Sequence, residues 1–157
     1  MTPEEAVERL NTVLAHAWMI RTFLKHADEI QDNEYMLDVP RTLYDGIRAV
    51  EPARERGDLG DYLRRLKGKL PKLRRVAEYF NAHFKEFSPH TNFEMAAASL
   101  LGVVHQMEEI FAAVNWDDVR ALIQASEGRQ PPEGSQTRGP HDPRSPDPLD
   151  DIEIPEV

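Results

Sequence analysis

The sequence predicts an all-α protein: an antiparallel four-helix bundle with a short fifth helix, followed by a disordered, acidic, proline-rich C-terminal tail. Three observations carry this expectation. Apolar residues within positions 1–126 recur in alternating steps of four and three, the spacing of a buried helix seam. No stretch of those residues alternates apolar and polar positions over a useful strand length. Residues 127–157 hold eight acids against three bases and seven of the twelve prolines, with too few apolar side chains to offset the entropy of ordering them. The chain therefore divides into a helical domain over 1–126 and a tail over 127–157.

The first helix opens with Thr2 as N-cap, Pro3 in the first turn and Glu5 completing a capping box. Its seam runs through Ala6, Leu10, Val13, Ala17, Ile20, Leu24 and Ala27, and the helix is expected to reach about Gln31. A second helix is expected from an Asp38 cap, with Pro40 in its first turn and Leu43, Ile47 and Val50 as a short stripe. Pro52 kinks or ends it, Gly57 is a stop, and Asp58 caps the third helix.

That third helix has the most regular seam: Leu59, Leu63, Leu66, Leu70, Leu73, Ala77, Phe80, Phe84 and Phe87. The register passes through Gly68 and Pro71 without a slip. Proline in a helix interior costs about 3 kcal/mol, but two unrelated helices have no reason to share a phase across a break. One long helix bent at Pro71 is expected, with the proline on the outward side. Thr91 and Glu94 then suggest a second capping box, leading into the seam Phe93, Ala97, Leu100, Val104, Met107, Phe111 and Val114. Asp118 would come next in that seam, so the register fails there, and Asn115 is expected to cap a short fifth helix containing Val119, Leu122 and Ile123.

Composition removes several function classes. The chain has no cysteine, which excludes disulfides, thiolate catalysis and cysteine-ligated metals. No apolar run approaches the length of a membrane span, and the acidic start MTPEEAVERL lacks the basic and apolar regions of a signal peptide. The expected location is cytoplasmic, with no membrane contact.

No catalytic set is legible. His26 with Glu29, and His105 with Glu108, stand three apart, but in the reverse of the Glu-then-His order that di-iron bundles use, and on the outer sides of their seams. The five serines lie in no nucleophile-elbow pattern, and no glycine-rich phosphate loop occurs. Neither metal nor cofactor is expected. RTFLKH, Arg21 to His26, resembles the loose Arg-x4-His pattern of the HEPN ribonucleases. That resemblance implies a small helical bundle in which the arginine and histidine are catalytic. Five residues turn a helix by about 500°, however, which sets these two side chains about 140° apart. The resemblance covers six residues of the first helix, whereas the family carries the pattern later in the chain.

The remaining signals point to partners. RRLKGKLPKLRR, residues 64–75, places seven bases on the long helix. Lys67, Lys69 and Arg74 flank its seam, where acids on neighbouring helices, Glu4, Glu5, Glu8, Glu108 and Glu109, can answer them. Arg64, Arg65, Lys72 and Arg75 point outward and are the candidate partner-binding residues, joined by Trp18 and Met19, which fall outside the first helix's seam. The leading expectation is a non-enzymatic interaction or adaptor protein that binds a protein partner, or a second copy through Trp18 and Met19. The alternative is a nucleic-acid-binding or HEPN-like ribonuclease domain, with Tyr62 and Tyr79 beside the bases for stacking. The tail's own acids are a further candidate for the basic helix, and its DDIEIPEV end has the alternation suited to strand addition.

Overall fold

The computed structural model describes residues 1–129, and among them the chain is all-helical, with no strand. Seven helices succeed one another: α1 Pro3–His26, α2 Asp28–Gln31, α3 Glu34–Arg48, α4 Glu51–Glu55, α5 Leu59–Phe87, α6 Thr91–Ala113 and α7 Trp116–Glu127. Residues 130–157, and with them nearly all of the expected tail, lie outside the described residues.

Local chemistry sets most of the boundaries. The capping box of α1 forms as expected: Thr2 accepts from the Glu5 amide, and Glu5 accepts from the Thr2 amide. The helix ends at His26, short of Gln31, because Ala27 turns to an extended conformation and α2 starts afresh as a single turn. Helix α3 departs further from expectation. Asn33, not Asp38, is its cap, accepting from the amides of Tyr35 and Met36 at 3.0 and 3.1 Å. Burial of Met36 and Val39 extends the apolar stripe by a turn, so Pro40 lies inside the helix and is itself buried.

Gly57 sits at φ +67, the left-handed geometry that terminates a helix without a Cβ penalty. Asp58 then caps α5 by accepting from the Asp61 amide at 3.0 Å. Helix α5 is one element of 29 residues that passes through Pro71. Leu63, Leu66, Leu70, Leu73, Ala77, Phe80 and Phe84 are buried, while Gly68 and Pro71 are exposed. Lys67, whose carbonyl loses its amide partner to the proline, is itself an exposed residue. At α6 the cap is His90, whose Nδ1 accepts from the Asn92 amide at 3.1 Å, and Thr91 becomes the first helical residue. Asn115 caps α7 through the amides of Asp117 and Asp118, and α7 turns away from α6 by 82°.

Packing is continuous. Helix α1 lies against α3 and α6, α5 lies against the same two helices, and α7 rests on α5. Leu10, Leu24, Leu63, Leu66, Phe80, Leu100 and Met107 are among the fully buried side chains of the one core they share. No single helix among the described residues is long and apolar enough to cross a membrane.

Candidate binding groove and charged surface

The basic segment of α5 separates into three settings. At its N-terminal end, Asp61 is buried and gathers three guanidinium groups: Arg56 at 3.1 Å, Arg64 at 2.8 Å and Arg65 at 2.7 Å. Arg64 and Arg65 are therefore not the unshared outward bases that the seam suggested. Asp61 precedes them by three and four residues, within reach on one helix face, and that spacing is present in the sequence. Burial pushes the Asp61 carboxyl up, but the hydrogen bonds from Arg64 and Arg65 outweigh it and hold the group below the usual carboxylate range.

This depression makes stability depend on pH. The stabilisation from a depressed carboxylate is complete above the unfolded value of about 3.9 and disappears as pH falls through the folded value. Asp61→Asn is expected to cost about 1–2 kcal/mol at pH 7, since the three arginines are half-exposed and screened. In urea melts the gap between wild type and variant stays level from pH 8 to 5 and closes below pH 4. A gap of equal size at pH 7 and pH 2.5 refutes the assignment.

In the middle of the segment Lys67 and Arg74 serve the fold, while Lys69 is exposed and, contrary to expectation, no ion pair engages it among the described residues. The Lys67 ammonium stands 4.0 Å from the Trp116 ring centroid of α7. Arg74 pairs with Glu108 of α6, in keeping with its seam-flanking position. Tyr62 is not available for stacking: it is 1% exposed, donates its hydroxyl to Asn11 Oδ1 at 2.9 Å, and burial pushes its phenol up to about 12.

The third setting holds Lys72 and Arg75. They form the α5 wall of a groove of about 760 Å³, with Arg41 on the α3 wall. Two tyrosines complete it: Tyr35 is 78% exposed, and Tyr79 is half-buried with its ring 4.5 Å from that of His83. Among the described residues, no ion pair engages Arg41, Lys72 or Arg75. Glu34 and Asp38 also line the groove, so it carries both signs of charge with the positive in excess. Val39 and Val76 give it an apolar base. Tyr35 is not among the residues the sequence singled out, because the first turn of α3 lies upstream of the expected Asp38 cap; the signal that finds it is the Asn33 cap with Met36 and Val39 behind it. Arg41 lies within the expected helix, but no local spacing sets it beside Lys72 and Arg75.

Trp18 and Met19 part company, because successive helix residues diverge by 100°. Trp18 faces α3, where its ring lies 6.0 Å from Tyr44, and the Arg21 guanidinium stands 4.7 Å from Trp18 and 4.8 Å from Tyr44. Arg48 borders the same two rings at 5.7 and 5.3 Å. Helix α3 thus covers Trp18. Met19 points out, 66% exposed. Arg21 is occupied by the aromatic pair, while His26 is exposed at the end of α1. No cluster of three or more acidic or histidine side chains suited to a metal occurs among the described residues. No protein-family model, no curated protein and no solved structure matches this chain.

Proposed function

We propose that this protein is a non-enzymatic interaction or adaptor protein that receives an acidic, extended segment of a protein partner in the groove between α3 and α5. The observation that carries the reading is the convergence of Arg41, Lys72 and Arg75, unpaired among the described residues, with two accessible tyrosines over an apolar base. A peptide suits this mixture better than a polyanion does. Its carboxylates meet the three cations, its backbone amides and hydroxyls meet Glu34 and Asp38, and its apolar side chains meet the exposed ring of Tyr35 and the half-buried ring of Tyr79. A nucleic-acid backbone brings only negative charge toward those two acids, which favours the protein partner over the nucleic-acid alternative. The setting we infer for the groove is an antiparallel four-helix bundle with α7 as the added fifth helix. Support comes from the closed ring of contacts α1–α3–α5–α6, with α1 and α5 also touching across it.

Fluorescence anisotropy with labelled decapeptides graded in Asp and Glu content, alongside a single-stranded 20-mer oligonucleotide, tests the reading. The acidic peptides are expected to bind, and Lys72→Glu/Arg75→Glu to weaken them by about tenfold or more. An Arg64→Glu/Arg65→Glu variant is expected to change binding little. Neutralising Asp150, Asp151, Glu153 and Glu156 is expected to strengthen peptide binding if the chain's own acids compete for the groove. Peptide binding indifferent to the groove charges overturns the proposal. Oligonucleotide binding with a steep salt dependence, abolished by the groove variant, replaces it with the nucleic-acid reading.

A further inference from the structure

Opposite the groove, the outer sides of α1 and α6 form a face without charge. Charged residues make up 30% of the chain, yet residues 10–20 and 95–107 contain none. These two stretches belong to helices that pack together. Their register is antiparallel: the rings of Phe23 and Phe93 lie 5.4 Å apart at one end, and Val13 and Ile110 share a groove at the other. Helical spacing sets Thr12, His16, Met19 and Phe23 in one outward row, and Met95, Ser99, Gly102 and Gln106 in the row beside it. Of the five large apolar side chains exposed among the described residues, three stand here: Met19 at 66%, Met95 at 56% and Phe23 at 37%. The middle of the α6 row is low. Ser99 and Gly102 are small, and a Cβ added at Gly102 would meet nothing within 4 Å.

We propose that this face is the contact surface of a homodimer, with a second copy packing α1 and α6 across a two-fold axis. Three features select a second copy. In a two-fold contact each surface must complement itself. Here a raised row, Met19 and Phe23, lies beside a shallow one, Ser99 and Gly102, so each copy's ridge faces the other's trough. The chain carries a net charge of −9, so two copies repel except where an uncharged face lets them approach. The lack of charge at the centre, with Arg9 and Glu109 at the margin, matches the apolar-core and polar-rim composition of protein interfaces.

The strip is about 17 Å long and two helices wide, a contact at the small end of specific interfaces. Area does not by itself fix affinity; this dimer is expected to have a dissociation constant on the order of 10 μM. It leaves both α3/α5 grooves facing outward, so that one dimer presents two.

Sedimentation equilibrium on the full chain from about 5 to 500 μM, spanning that constant, tests the proposal. Wild type is expected to pass from monomer to dimer across the range. Gly102→Arg places a charged arm in open space above the trough, so it is expected to remain monomeric with unchanged circular dichroism and thermal melt. Met19→Glu, at an exposed position, is expected to do the same and carries the test if the Gly102 variant fails to fold. Lys72→Glu, on the other side of the molecule, keeps the dimer. Wild type that stays monomeric at the highest concentration overturns the proposal, as does a dimer that survives both substitutions. Peptide binding in the α3/α5 groove by the monomeric Gly102→Arg chain separates this inference from the functional reading, since either stands without the other.

Discussion

Phe80→Ala is expected to lower the stability of this protein by about 3–5 kcal/mol, the cost of lost burial plus the cavity left behind. Phe80 is fully buried in the C-terminal half of α5, with its ring centroid 6.2 Å from that of Phe84. Such a loss is a large part of the roughly 5–15 kcal/mol that holds a typical domain together. The companion variant Leu66→Ala, on the other side of Pro71, is expected to cost about 2–5 kcal/mol. Because α5 is continuous, both substitutions should raise amide hydrogen exchange along the whole helix. Both should also leave chemical unfolding a single transition, the same by circular dichroism and by tryptophan fluorescence. Exchange confined to one side of Pro71 in either variant would show that the proline divides the helix into separately stable parts.

Gly60→Val is expected to cost about 1–3 kcal/mol through overpacking, and to act on one element. A Cβ at Gly60 would stand 2.8 Å from Ile123 Cγ1 and 3.2 Å from the Ile123 backbone nitrogen. The side-chain carbon can turn away, but the backbone of α7 must move. That helix has little to resist with: Val119 is its one buried side chain, Trp116 and Ile123 pack against the core in part, and Ser126 Oγ donates to Asp58 at 3.3 Å. Hydrogen exchange across Trp116–Glu127 should therefore rise while α1, α5 and α6 keep their protection. In a Trp18→Phe background, fluorescence reports on Trp116 alone, and its emission should shift to the red as the ring leaves the core. Unchanged emission and unchanged exchange in α7 would refute the close approach of the two helices.

Much of this architecture is legible in the sequence because its causes are local. The step of four and three through Leu63, Leu66, Leu70 and Leu73 makes α5 a single helix, and the caps at Thr2, Asp58 and Asn115 are side chains bonding to amides two or three residues away. The Arg64 and Arg65 pairs with Asp61 are equally local. The seam alone hides them, since it points to acids on other helices and not to one three and four residues upstream. The start of α3 is obscured for a related reason: Asp38 and Pro40 resemble an opening turn, whereas Asn33 with Met36 and Val39 supplies the cap and the buried stripe.

By itself the sequence determined that this chain is helical, where α1, α5 and α7 begin, and which side of each long helix is buried. Backbone capping and amphipathic spacing act within one or two turns, so a linear reading contains them. Only the tertiary structure decided which exposed residues share a surface. It brought Arg41 beside Lys72 and Arg75, more than thirty residues apart. It turned Trp18 onto Tyr44 while leaving Met19 outside, and it laid the two uncharged stretches of α1 and α6 side by side. Those adjacencies depend on which helix faces meet in the common core, a choice made by burial and shape summed over the whole chain, and no local spacing encodes it.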